Sequence, residues 1–479
     1  MSENDAARDD QARGDRARGD RARGDRARGD RARGDRARGD RARGDRARGD
    51  RARGDQQHSG GSASGATSDR QRRSWARSGQ QRRGRPSNEV AVVGYAHSLV
   101  RRHAPEPLGV LAVDTARRAI ADAGLEVADV DGFVSASMFP TAGAHAVEDG
   151  TSIVSSQWMA AHLGADARYT AGFDGVGALT GSLALGVNAV ASGTADYVLL
   201  HRALHNPVGS YHANPMKAAV GWQQWTVPQG FFGPLQMIAL PYNEYLARYG
   251  ASREAMAAVL VEARKNGARI PWSYWHGKPL TAEEYLAAQT LVDPICRYDC
   301  DIPVDGVATF VLTSAERAAD LPNKPVYIAG YASGLPPRRR LAQHWPLDDI
   351  MDAGFGLASR LWERSGVGPA EIDLPQVYDG FSPFVYFWLE VLGLCPVGEA
   401  HRFVQAGGID ADRPDGLPAL SGGGALGNGR MHGVPQMLEC YLQLSGRAGE
   451  RQRDKATIGV ACHSSPHYGG AVVYSAVPF

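Results

Sequence analysis

Residues 372–395 read IDLPQVYDGFSPFVYFWLEVLGLC, and the fold turns on how this stretch is read. The apolar, β-branched entry predicts a short strand. Tyr378-Asp379-Gly380-Phe381 predicts a tight turn, and the aromatic run after Pro383 predicts a helix. The first N–H groups of a helix have no partners inside it. Tyr378 and Asp379 therefore stand where a proton can be moved or an anion held. The plainer alternative makes Tyr378 a core tyrosine with a satisfied hydroxyl and Asp379 an N-cap.

Working outward, the stretch falls in the second of two similar segments. Residues 92–98 read VVGYAHS and 328–334 read IAGYASG, while 124–131 (GLEVADVD) are echoed by 366–373 (GVGPAEID). The same order and comparable spacing argue for a duplicated α/β half, with one half over 88–325 and the other over 326–479. In the first half, EVAVVG (89–94) reads as a buried strand. Small or apolar residues at 108, 111, 112, 115, 116, 119, 120 and 123 mark one face of a helix stopped by Gly124, and a second strand follows at 130–134. Residues 174–191 (DGVGALTGSLALGVNAVA) are nearly free of charge and predict a helix buried on all sides, followed by a strand from Tyr197. Between about 205 and 300 the pattern loosens, with clustered tryptophans and prolines. This insertion either shapes a substrate mouth or packs a subdomain or dimer surface.

Residues 1–86 are a different material. From Arg16 to Asp55 the chain repeats Arg-Ala-Arg-Gly-Asp, and the stretch has almost nothing apolar to bury, which predicts a disordered tail. Weak attraction to nucleic acid or a membrane surface, repeat expansion, and a misassigned start codon are the alternatives for it. The tail carries 25 Arg against 14 acidic residues, leaving 28 basic and 38 acidic residues in the body, so a near-neutral total hides a basic tail on an acidic body. That body is not a nucleic-acid binder by its field, and it is long enough for a large core. Its five cysteines form no metal-ligand pattern and suit a reducing compartment, and no stretch reaches membrane-span length. A cytoplasmic protein is the expectation.

Downstream of the opening stretch, residues 421–437 read SGGGALGNGRMHGVPQM, a glycine-rich run that opens a helix. Gly422, Gly423 and Gly424 permit close backbone approach and offer N–H groups to an oxyanion or phosphate, but the spacing is neither a Walker loop nor a dinucleotide fingerprint. His432 is the group in the run suited to proton transfer near neutral pH, and Arg430 can stabilise negative charge. Near the end, His463 and His467 flank Pro466, which prevents a helix from presenting both to a metal; the better reading is a loop returning polar groups to the site. No metal is expected.

With these residues in hand, the body over 88–479 resembles the thiolase superfamily, in particular its sterol carrier protein X and lipid-transfer-protein branch. The resemblance rests on Tyr378-Asp-Gly-Phe with Leu389-Glu-Val-Leu-Gly-Leu-Cys, and on the Asp305-Gly306-Val307-Ala308 turn. It rests also on Ser421-Gly-Gly-Gly, on Gly429-Arg-Met-His-Gly433, on Lys265-Asn266 and on Gly469-Gly470-Ala-Val-Val. It implies a layered α/β/α/β/α fold of two pseudo-repeated halves, assembled as a homodimer through core strands and the surface around Asp305. Thiolases attack with a cysteine at the start of the buried helix, where this chain reads Asp174-Gly175-Val176-Gly177-Ala178. No cysteine lies in that helix and no Ser or Thr is expected in its first turn, so an acyl-enzyme has no evident nucleophile.

The steroid side-chain aldolases of this superfamily also lack the cysteine, and they resemble this chain in carrying Tyr at the place of Tyr378. The resemblance implies a carbon–carbon lyase that cleaves a β-hydroxyacyl-CoA to a shorter acyl-CoA plus a ketone or aldehyde. An acyl-CoA acyltransferase and a non-catalytic acyl-CoA or lipid-binding subunit are the alternatives. Tyr378 is expected to transfer protons with its pKa lowered by the helix start. His432 and the backbone of Gly422 to Gly424 are expected to hold the enolate, with His463 as a third candidate and Asp379 and Arg430 on the substrate. No cofactor is implied beyond the substrate's coenzyme A, and a zinc-ribbon/OB-fold partner protein is.

Overall fold

The computed structural model describes residues 89–137, 147–173, 178–206, 223–231, 233–334 and 345–479. The tail over 1–86, residues 174–177 and part of the insertion lie outside the described residues. In chain order the framing elements are β1 (Val90–His97), α1 (Leu108–Asp122), β2 (Gly132–Ser135), α2 (Ser156–Leu163), β3 (Tyr169–Gly172), α3 (Ala178–Ala191), β4 (Tyr197–Leu204), α4 (Pro234–Tyr249) and α5 (Arg253–Ala268). There follow β5 (Gly306–Ser314), β6 (Val326–Ser333), α6 (Leu347–Ser365), β7 (Leu374–Gln376), α7 (Pro383–Val391), α8 (Gly424–Asn428), α9 (Val434–Ser445), β8 (Ile458–His463) and β9 (Gly470–Ser475).

These nine strands hydrogen-bond in the order β3-β2-β4-β5-β1-β6-β9-β8-β7. Outward from the central antiparallel β1–β6 contact, both sides repeat one pattern. β1 with β5 and β5 with β4 are antiparallel, and β4 with β2 is parallel. Likewise β6 with β9 and β9 with β8 are antiparallel, and β8 with β7 is parallel. The duplication reaches single side chains. Asp131 accepts the N–H groups of Asp196 and Tyr197 at the start of β4 (2.9 and 3.0 Å), and Asp373 accepts those of Thr457 and Ile458 at the start of β8 (3.0 and 3.2 Å).

Strand alternation sorts the apolar residues into three cores and hence five layers. Val90 and Val92 face a middle core in which α3 and α9 lie between the two half-sheets, with Leu183, Leu200, Leu312, Met437, Val472 and Tyr474. Ala91 and Val93 face outward with Phe133 and Leu199 onto α1 and α2. On the far side, Val460 and Val473 pack against α4 to α7. Helix α7 is buried along its whole length, as its unbroken apolar and aromatic sequence requires. The expected α/β/α/β/α arrangement of two pseudo-repeated halves is therefore present.

Asp305 itself is buried, and its carboxylate accepts the N–H groups of Ala104 (2.7 Å) and Asn206 (2.5 Å) and lies 3.2 Å from His205.

Candidate active site

Polar groups gather where parallel strands end and the middle helix begins, the crevice that open α/β sheets leave for ligands. Arg202, near the end of β4, is 1% exposed in a strand whose other residues, His201 apart, are apolar or aromatic. Its Nη1 donates to the Ala136 carbonyl just beyond β2 (3.0 Å) and its Nη2 to His432 Nδ1 (2.8 Å). A guanidinium only donates, so His432 accepts at Nδ1 and carries its hydrogen on Nε2. His432 itself has φ 46°, a left-handed backbone unusual for a residue with a side chain, and is buried. From β8, His463 Nδ1 meets the Thr180 hydroxyl of α3 at 2.7 Å, while its buried Nε2 has no hydrogen-bond partner among the described residues. Burial, with Arg202 nearby, lowers its pKa to about 3.

Tyr378 follows β7 and is 3% exposed. Burial, then Asp301, Tyr468 and Asp379, push its phenol well above the ordinary tyrosine range, against a lowering by Arg202. The expected lowering at a helix start is overturned: α7 begins at Pro383, and desolvation dominates.

Asp379 is neither an N-cap of α7, whose capping position is Ser382, nor open to a substrate. Its Oδ1 accepts the Ala425 N–H (2.6 Å) and Gln436 Nε2 (2.9 Å), and its Oδ2 the Leu426 N–H (3.0 Å), so it ties the Tyr378 turn to the start of α8. Burial raises its pKa to about 7 against these three donors. Gly424, at φ 58°, leaves room for it; a Cβ there would stand 2.1 Å from Asp379 Oδ2. The N–H groups of Gly422 and Gly423 are accordingly not open to an oxyanion. Gly422 N–H donates to Gln376 Oε1 (3.3 Å) and Gly423 N–H to the Leu420 carbonyl (2.8 Å). Arg430 is 4% exposed, anchored by its N–H to the Ile302 carbonyl (2.8 Å). Burial and the neighbouring Arg202 and Arg102 bring its pKa down to about 9.

The structure thus brings His432, His463 and Tyr378 around Arg202, and it adds three residues that sequence reasoning missed. Arg202 was signalled only by a charge inside the strand YVLLHRAL. Thr180 lies near the start of the described part of α3, which runs from Ala178. Asp301 had no sequence signal; its N–H donates to the Gly380 carbonyl (3.1 Å), and Cys300 bridges Phe381, so this segment is zipped onto the Tyr378 turn.

Asp301 also lines a cavity of about 460 Å³, whose walls include Leu235, Leu260, Leu280, Ile302 and Leu426 with Arg264 and Tyr298. A second cavity of about 490 Å³ is walled largely by charged side chains, among them Arg269 paired with Asp412 and Arg451 paired with Glu439. Only the first suits an apolar group. Burial pushes all five thiols above their ordinary range, Cys296 to about 11, so none is poised as a thiolate. Among the described residues no group of three or more His, Cys, Asp or Glu is placed to hold a metal, and no helix is long and apolar enough to cross a membrane.

Comparison with known proteins gives this geometry its context. Residues 349–475 match the family model "Thiolase C-terminal domain-like". The chain is 31% identical to the 17-hydroxy-3-oxo-4-pregnene-20-carboxyl-CoA lyase of Mycobacterium tuberculosis over 75% of its own length and 92% of that protein. It is 29% identical to the steroid side-chain-cleaving aldolase of Thermomonospora curvata over 76% and 92%. The solved structure of an Ltp2-ChsH2(DUF35) aldolase superposes with TM-score 0.71 at 28% identity, covering 81% of this chain and 98% of that one. With a thiolase-like fold, a site built without a cysteine nucleophile and this extent of identity, the chain belongs to the family of thiolase-fold steroid side-chain-cleaving aldolases, the CoA-thioester lyases.

Proposed function

We propose that this chain cleaves a steroid-type CoA thioester carrying a β-hydroxyl, releasing a ketone or aldehyde and a shorter acyl-CoA. The observation that carries this reading is the buried Arg202–His432 pair beside Tyr378. Retro-aldol cleavage breaks the Cα–Cβ bond and leaves negative charge on the thioester oxygen. His432, held as the Nε2–H tautomer with a fixed cation behind it, suits that oxygen as donor without becoming charged itself. Tyr378 stays a neutral phenol and suits the substrate oxygen that changes from hydroxyl to carbonyl. The 460 Å³ cavity supplies apolar walls for the bulky part of the substrate. No cofactor beyond the substrate's coenzyme A enters this scheme.

The reading includes a small zinc-ribbon/OB-fold partner, supported by the pairing named for the Ltp2-ChsH2(DUF35) aldolase. It also includes a homodimer, supported by the edge strand β3 and the adjacent Phe173, 52% exposed. Five free cysteines suit the cytoplasm.

A second reading, acyl transfer, is favoured by one contact, the Thr180 hydroxyl on His463 Nδ1. One experiment separates them. The full chain is purified with a zinc-ribbon/OB-fold partner encoded beside it and incubated with a labelled β-hydroxyacyl steroid-CoA. Mass spectrometry that finds both cleavage products supports the lyase. Label retained on denatured protein, and lost in Thr180→Val, would replace the lyase with the acyltransferase.

A further inference from the structure

Cleavage needs one group that takes the hydroxyl proton and another, or the same one, that returns a proton to carbon. Tyr378 is poorly suited to ionise, and His463 is held neutral by burial. Asp301 is the residue common to the cavity wall and to the surroundings of Tyr378. It is 7% exposed, and among the described residues no cation lies within ion-pair distance of its carboxyl and no donor is hydrogen-bonded to it. Its backbone is fixed on the Tyr378 turn by the bond to Gly380 and the Cys300–Phe381 bridge, which sets where the side chain starts. A buried carboxyl without an ion pair costs stability, and such costs concentrate at functional sites.

The geometry points to Asp301 as the proton-transfer residue of the cleavage, a role that rests on the lyase reading above. As a carboxylate it takes the β-hydroxyl proton; the oxygen's electrons form the new carbonyl, the Cα–Cβ bond breaks, and its pair becomes the thioester enolate. Asp301, now protonated, gives the same proton to Cα, so the substrate divides into a carbonyl product and a shorter acyl-CoA with no net proton change. Burial, then the Asp379 carboxyl, push Asp301 well above the usual carboxylate range, which makes it a stronger base and a reusable acid. The groups around it are Tyr378, Tyr468 and Asp379 on the site side, and Arg264, Arg297 and Tyr298 on the cavity side.

The test uses the full chain with its partner. Asp301→Asn should lower turnover a hundredfold or more with KM within about threefold. It should also abolish exchange of the Cα hydrogens of the shorter acyl-CoA with D₂O, a half-reaction that breaks and remakes a C–H bond but needs no carbon–carbon cleavage. Asp301→Ala should regain at least tenfold with added formate, since the residue borders a cavity that admits a small acid. Should Asp301→Asn melt early, Asp301→Glu is read instead, and partial turnover with a displaced pH profile supports the role. Turnover and exchange within threefold of the parent, or a pH profile like the parent's in Asp301→Glu, overturns it. A parent active beside an equally active Asp301→Asn removes Asp301 alone, whereas a parent that fails to cleave removes the lyase reading as well.

Discussion

Replacing Asp379 with alanine tests the strut that joins the Tyr378 turn to the glycine-rich run. Three buried donors, the N–H groups of Ala425 and Leu426 and Gln436 Nε2, lose their acceptor. Each orphaned donor costs ~1–3 kcal/mol, and water entering the gap recovers part of it, so a loss of ~3–6 kcal/mol is expected. A body of roughly 390 residues unfolds with an entropy of ~0.8 kcal/mol/K, which converts the loss to a fall in Tm of ~4–7 °C. Asparagine is the discriminating control. With its carbonyl at the Oδ1 position it keeps the Ala425 and Gln436 bonds and turns only its amide toward the Leu426 N–H, so it should lose ~1–4 °C. Calorimetry at pH 7 reads both variants. Asp379→Ala within 1 °C of the parent, or Asp379→Asn melting as low as Asp379→Ala, would refute the strut.

Tyr378→Phe keeps the ring against Phe384 and removes only the hydroxyl, so turnover should fall about a hundredfold while affinity for acyl-CoA barely moves; near-normal turnover with the partner present would show that Tyr378 only packs. The carboxyl of Asp379 titrates near 7 in the folded chain against 3.8 ordinarily, so the folded state binds the extra proton between those values. Its stabilising contribution is full below about pH 4 and disappears as pH rises through 7, and the parent's advantage over Asp379→Asn in denaturant titrations should narrow across that window. His463 behaves in the opposite sense. With a folded pKa of about 3 against 6.5, it destabilises the chain as pH falls below 6.5, and His463→Gln should flatten the acid limb of the stability curve.

Much of the frame was legible in the sequence because it depends on local, repeated constraints. The helix over α1 follows from its apolar spacing and the stop at Gly124, the burial of α7 from its unbroken aromatic run, and the duplication from two short echoes in the same order. The paired Asp131 and Asp373 bonds show the echo was structural, since both carboxylates cap the start of the next parallel strand. The site was legible only as a neighbourhood. Periodicity reports which face of an element is buried, but not which polar atoms meet across elements hundreds of residues apart. Arg202 and His432 are 230 positions apart, and Thr180 and His463 are 283. Nor can sequence weigh desolvation against a helix start. The phenol of Tyr378 was expected to ionise more readily, and the packed layers around it reversed the sign. The sequence by itself determined the strands, the burial of α7, the duplication and the absence of a cysteine at the middle helix, while α3, expected to be buried on all sides, leaves Asn188 exposed and Leu185 and Val187 half-buried. Only the tertiary structure decided that Asp379 is a strut, that the N–H groups of Gly422 and Gly423 are already used, and that Arg202 and Asp301 stand at Tyr378, because charge and hydrogen-bonding capacity are settled by three-dimensional neighbours rather than by spacing along the chain.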